Sequence, residues 1–255
     1  MVDRKEQVNA LRVNDTFNFR CGPGSVCFTS CCRDVTIFLT PYDVIRLKKR
    51  LGISSTEFLE QYTVTLKIGD RVVPLLVLKM GEDREKRCQL VTADGCTVYE
   101  DRPWSCRMYP LDQRSPASFT FIANPTTCKG LEDPHRYKVS DYLVDQGILI
   151  YKEMEELFEE ITSHSGIHQL DIDNEAIAQM LHMALYDLDR FRHFVFESDF
   201  LKRFDVAEKT LRTIRNNDVE LMKFAFKWIR FGLFGDPFYK LREDVRPPTQ
   251  EAGPA

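Results

Sequence analysis

All eight cysteines of this 255-residue chain lie between Cys21 and Cys128, and none follows. They form a tight run, Cys21-x5-Cys27-x3-Cys31-Cys32, and a looser one, Cys88-x7-Cys96-x9-Cys106-x21-Cys128. A stretch so loaded is held together either by disulfides or by metal, and the compartment decides between them. The start, MVDRKEQVNALRVNDTF, is charged and lacks the apolar stretch of a secretory signal. The expected location is therefore the cytoplasm, where thiols stay reduced. The adjacent pair Cys31-Cys32 argues the same way, because a disulfide between neighbours is strained and each would need a distant partner. Metal ligation is the expectation, and eight thiols supply two complete four-cysteine sites.

Composition narrows the function classes. The chain is 43% hydrophobic and 29% charged with a net charge of -4, which is globular and lacks the basic excess of a nucleic-acid binder. No run approaches the roughly 20 apolar residues that cross a bilayer. Neither nucleic acid nor membrane is an expected partner.

Patterning divides the chain in two. The expected fold class is α+β: a small metal-stapled, cysteine-rich N-terminal unit over 20–135, then a mostly α-helical C-terminal half over 139–243. Val35 to Leu39 reads as a short strand. Thr40-Pro41-Tyr42-Asp43 opens a helix with Thr40 as N-cap and Pro41 in the first turn, and Gly52 stops it. A second helix starts near Ser55, with Phe58, Leu59 and Tyr62 facing inward. Thr63 to Ile68 and Arg71 to Met80 read as strands joined at Gly69-Asp70, Ala93-Asp94-Gly95 as a turn, and Ser118 to Ala123 as a strand. Few elements and many turns suggest loops held by metal more than by a deep core. Beyond Val139, Tyr142 to Ile161 marks one amphipathic helix and Ile177 to Phe196 a second, entered at Asp173 or Asn174. Val206 to Ile214 and Val219 to Phe234 mark two more, ahead of a tail at Pro247-Pro248. The aromatics Phe224, Phe226, Trp228, Phe231 and Phe234 read as packing.

The expected ligands are Cys21, Cys27, Cys31, Cys32, Cys88, Cys96, Cys106 and Cys128. Zinc and iron-sulfur clusters, 4Fe-4S included, both take four thiolates. The five histidines, His135, His164, His168, His182 and His193, all follow Cys128, so an all-thiolate shell is favoured over a mixed one. Their absence before Cys128 also leaves a cysteine nucleophile without a base. On an extended segment Cys31 and Cys32 would point to opposite sides, one toward each centre. Five cysteines have a cation beside them in sequence: Arg20, Arg33, Arg87, Arg107 and Lys129. Positive charge near a thiol favours the thiolate.

The run Cys27-x3-Cys31-Cys32, the segment Leu39-Thr40-x2-Asp43-Val44-x2-Leu47, and above all Cys96-x2-Tyr99-Glu100-x-Arg102-Pro103-x2-Cys106-Arg107-x-Tyr109-Pro110 resemble the YkgJ-type cysteine-cluster family, a zinc- or iron-chelating domain. The resemblance covers roughly residues 20 to 130. One departure is the five-residue gap after Cys21, where the family commonly has fewer. The resemblance implies eight metal-chelating cysteines holding an iron-sulfur cluster or Zn2+. Within the shared motif, Arg102, Arg107 and Tyr109 are candidates to donate to a cluster sulfur or brace a ligand loop. The simpler expectation pairs Arg102 with Glu100 or Asp101. Some relatives, the flagellin lysine methylases, transfer methyl groups from S-adenosylmethionine, but no glycine-rich nucleotide loop occurs here.

Three functions follow as expectations. The first is a metal-binding protein, redox-active or presenting its centre to a protein partner through the helical half. The others are an S-adenosylmethionine-dependent protein lysine methyltransferase and a structural zinc domain.

Overall fold

The computed structural model describes residues 10–242 apart from 68, 70, 71 and 172. Most of the charged start, the tail at Pro247-Pro248, and Ile68, Asp70 and Arg71 of the expected hairpin lie outside the described residues.

The first half is a string of small antiparallel pairings. Strand β1 (Thr16–Asn18) leads into the first cysteine run, and β2 (Phe38–Leu39) leaves it. The strand expected from Val35 is thus shortened to two residues. Helix α1 (Pro41–Leu51) is built as its sequence dictates. The Thr40 side chain accepts from Asp43 N, the Asp43 carboxylate accepts from Thr40 N, and Gly52 closes the helix at φ 69. Ser54 and Glu57 form a second capping box for α2 (Ser55–Tyr62), which runs into β3 (Thr63–Leu66). Strand β4 (Leu75–Leu78) lies between β2 and β3, pairing Leu39 with Leu76 and Val64 with Val77. The hairpin β5 (Val91–Thr92) to β6 (Gly95–Cys96) turns at Ala93-Asp94, as expected. Helix α3 (Trp104–Met108) follows, then the hairpin β7 (Leu111–Ser115) to β8 (Ser118–Phe121), and β9 (Arg136–Lys138) returns to pair with β1.

Helices fill the second half: α4 (Val139–Asp145), α5 (Ile148–Thr162), α6 (Glu175–Leu185), α7 (Leu188–Glu197) and α8 (Phe200–Arg203). Short strand β10 (Phe204–Asp205) precedes α9 (Glu208–Asn216) and α10 (Asp218–Ile229), and β11 (Lys240–Leu241) pairs back onto β10. Two helices expected to be continuous are broken. Gly147, at φ 63, separates α4 from α5. Tyr186 and Asp187 separate α6 from α7, so His182 and His193 do not share a helix. Among the described residues no helix is long and apolar enough to cross a membrane.

Two apolar clusters organise the chain. The larger joins Leu47, Phe58 and Leu76 of the first half to Leu181, Leu185, Phe191, Leu221 and Ile229 of the second. Elements α1, α2 and β4 are therefore held by a core shared with the later helices. The expectation that metal stands in for a core across the first half does not apply to them. Phe224 and Phe226 are buried in the same cluster, which accounts for the aromatic load there. The smaller cluster, with Phe17, Phe19, Met108, Leu111, Phe119, Tyr142 and Ile148, includes Cys128 and backs the cysteine region.

Candidate metal centre

The first cysteine run is a succession of tight turns. Ser25 N donates to Gly22 O (3.1 Å), Phe28 N to Ser25 O (2.9 Å), Ser30 N to Cys27 O (2.9 Å) and Cys32 N to Thr29 O (3.0 Å). Thr29 adopts φ 66 and opens a one-turn 3-10 helix over Ser30–Cys32. Side chains on such a turn are rotated by roughly 120° per residue, against the alternation of a strand. The expectation that Cys31 and Cys32 point to opposite sides is overturned: their Sγ atoms lie 3.9 Å apart.

Backbone contacts gather the other cysteines on either side of this pair. On one side, Arg20 N donates to Gly130 O (3.1 Å) and Lys129 N donates to Cys27 Sγ (3.2 Å), which brings Cys21 and Cys27 to Cys128. Cys128 is buried, whereas Cys21 lies at the exposed end of the group. On the other side, Cys88 N donates to Cys32 O (2.8 Å) beside an Arg33–Arg87 bridge. Val91 N donates to Cys88 O (3.1 Å), and Val91 pairs with Cys96 across the β5–β6 hairpin. Cys106 rides on α3.

Electrostatics reports the same two neighbourhoods. Desolvation pushes the Cys21 thiol up to about 11, and Cys31, Cys128 and Cys27 add repulsion. Cys106 is raised by burial first and then by Cys88, Cys96, Asp43 and Cys31. Cys32 is raised by its hydrogen bond to Cys31, by burial, and by Cys31, Cys106 and Cys88 in turn. The bond that keeps the proton on Cys32 lowers Cys31 to about 7. Burial raises Cys88 and Cys96 as well, while backbone N–H groups of Leu90 and Val98 bonded to their sulfurs pull the other way. Cys21, Cys27, Cys31 and Cys128 thus make one group, and Cys32, Cys88, Cys96 and Cys106 another. Cys31 stands at the seam, close enough to Cys96 and Cys106 to act on both.

Among the described residues, no three Cys, His, Asp or Glu donors already converge as a bound ion requires. The chemistry of the set nevertheless fits zinc or iron. Desolvated thiols keep their protons and repel as thiolates, so nothing draws them into a bonding shell of about 2.3 Å until a cation displaces those protons. Backbone N–H groups already aimed at Cys27, Cys88 and Cys96 are the donors a thiolate uses. Two histidines are engaged in the helical half, His164 stacked on Phe234 at 3.9 Å and His193 beside Glu197, while His135 lies against Arg20, with its ring on Tyr137.

Residues 20–129 match a family model, CxxCxxCC, described as "Putative zinc- or iron-chelating domain". The match supports placing this segment with the cysteine-cluster domains of that family. Its bounds take in all eight cysteines and the whole Cys96–Pro110 motif. The family's description accords with an iron-sulfur cluster or Zn2+ as the cofactor. The family's name spells gaps of two between its first cysteines, whereas this chain has five and three, the extra residues forming the turns after Gly22. No curated protein and no solved structure gives a significant match to the chain.

Within the cysteine-cluster domain, the motif arginines brace the ligand loops and do not touch sulfur. Arg107 Nε donates to Arg102 O (2.9 Å), one terminal nitrogen to Gln146 O (2.7 Å) and the other to Glu100 O. Arg102 donates to Tyr99 O (2.5 Å) and to Gln146 Oε1 and lies over the Tyr99 ring. It does not pair with Glu100 or Asp101, because Asp101 is taken by Arg46. Its buried charge still favours the thiolate at Cys21 and Cys96. The cations next to cysteines mostly have other partners: Arg33 and Arg87 both meet Glu85, and Lys129 meets Glu132. Tyr109 faces the first group. Burial, the Cys128 sulfur at its hydroxyl, and Cys31 and Cys27 beyond it all raise its phenol.

Asp43 escaped sequence reasoning as a site residue. Fully buried, it caps α1 through Thr40 N (2.8 Å) and accepts from Trp104 N (2.9 Å), the first residue of α3. One carboxylate therefore fixes the starts of two helices and sets the helix that carries Cys106. The sequence shows its capping role, but nothing local points across the intervening chain to Trp104. Tyr142 of α4 and Tyr151 of α5 brace the same motif from the helical half. Their hydroxyls donate to Tyr109 O (2.5 Å) and Arg102 O (3.3 Å).

Proposed function

We propose that this chain is a metal-binding protein with two all-thiolate centres. One is held by Cys21, Cys27, Cys31 and Cys128, the other by Cys32, Cys88, Cys96 and Cys106. The observation that carries the reading is the sorting of eight sulfurs into two neighbourhoods of four that meet at Cys31 and Cys32. Zinc in such a site is redox-silent and holds loops in place; an iron-sulfur cluster also accepts an electron. The chain's own residues serve either in the same way. The N–H groups of Lys129, Leu90 and Val98 stabilise bound thiolates, Arg102 offsets their negative charge, and Arg107 with Gln146 holds the loop that carries Cys106.

Anaerobic purification followed by metal analysis and visible spectroscopy tests this. A brown protein bleached by dithionite carries iron-sulfur, and a colourless one with two zinc ions per chain carries zinc. Cys31→Ser and Cys106→Ser should each remove one equivalent and lower soluble yield, because metal binding and loop folding are coupled. Unchanged metal content in both variants removes those residues from the ligand set.

A further inference from the structure

The Ser30–Cys32 turn belongs to both proposed centres, and its surroundings give it little other support. Val26 is 93% exposed, and no residue from Cys21 to Cys32 is buried. What holds the segment is its own run of turns and two outside tethers. Lys129 N reaches Cys27 Sγ on one side, and Cys88 N reaches Cys32 O on the other. Cys27 and Cys31 face the first group, Cys32 the second, and only four residues of chain lie between Cys27 and Cys32. A stretch this short and this tightly turned cannot be ordered for one centre and left loose for the other. Its left-handed entry at Thr29 and the 3.9 Å sulfur contact place both ligands with a single backbone conformation.

We propose that the two centres load and release metal cooperatively, with the Ser30–Cys32 turn as the coupling element. The inference rests on the two-centre reading above. The first centre to fill orders the turn and meets its conformational cost; the second then finds its Cys32 donor already placed and binds more tightly. Charge opposes this, since two thiolate-rich centres side by side repel. Arg102, acting on a cysteine of each group, reduces that opposition.

The test uses the full chain isolated anaerobically with its own metal, stripped by graded amounts of chelator and weighed by native mass spectrometry. Coupled centres give mixtures of full and empty chains, with the half-loaded species at least threefold below its binomial share. A half-loaded species at or above that share overturns the coupling and leaves the two-centre reading standing. Full chains that carry only one centre, or none, overturn that reading instead. Cys88→Ser adds a second arm, because it removes a ligand of the second centre without altering the turn itself. Its remaining centre should release metal at a chelator concentration at least tenfold lower than the native chain requires, with far-UV circular dichroism unchanged. Release at the native concentration rejects the coupling.

Discussion

Asp43 shows how much one side chain can settle in this molecule. Burial raises its carboxyl to about 6, against the pull of the Thr40 and Trp104 amides and the nearby Arg107 charge. An unfolded aspartate titrates near 3.9, so in the window from about pH 4 to 6 the folded chain holds the proton more tightly. Unfolding free energy from this group therefore falls as pH rises through that window, by on the order of 3 kcal/mol. Asparagine at this position does not titrate, and its amide cannot accept from both Thr40 N and Trp104 N. In metal-free protein, Asp43→Asn should be more destabilising at pH 4.5 than at pH 7, by about 2 kcal/mol. Urea unfolding at the two pH values checks this, and an equal deficit at both would show that Asp43 is not the titrating group.

At the scale of elements, what could be read in advance was what is encoded locally. Helix α1 carries its cap, its first-turn proline and its glycine stop within its own residues, and it forms as read. The breaks at Gly147 and Asp187 depend on distant partners. Asp187 accepts from Ser55 Oγ (2.7 Å) and Thr56 Oγ1 (3.0 Å) on α2, a contact that no periodicity contains. The Cys31–Cys32 geometry likewise hangs on one left-handed threonine, a conformation its residue type does not announce. The two runs of cysteines stand in the sequence spacing, whereas the proposed partition into fours draws on contacts between distant segments that spacing does not contain. Gly147 and Gly52 make a controlled comparison. Both have positive φ, but a Cβ at Gly52 meets nothing within 4 Å, while one at Gly147 comes within 3.3 Å of an Arg107 terminal nitrogen. Gly52→Ala should cost about 1 kcal/mol from backbone strain alone. Gly147→Ala should cost about 1 kcal/mol more, since it disturbs the fork that holds Gln146 and Glu100. Equal losses in chemical denaturation would mean that Arg107 adjusts freely and braces nothing.

Across the whole molecule, the division visible in composition is not a division of the apolar core. Lys48 of α1 is only 6% exposed, and its ammonium meets Asp189 (2.9 Å) and Asp218 (3.0 Å) from the helical half. Ser55 N and Ser55 Oγ also donate to Asp189, and against its partial burial the hydrogen bonds from Ser55, Lys48 and Arg192 hold that carboxyl down at about 2. Removing the first half would strand Asp187, Asp189 and Asp218 without these partners and bare the faces of Leu181, Leu185 and Phe191. A fragment of residues 139–242 is therefore expected to be helical but without cooperative unfolding, and to bind a hydrophobic dye as expanded states do. The full chain stripped of metal keeps α1, α2 and β4 in that core, so it should retain a single cooperative transition while its cysteine loops become protease-sensitive. Calorimetry of the two samples separates the cases. A sharp, reversible transition in the fragment would show that the helical half folds without the partners α1 and α2 supply.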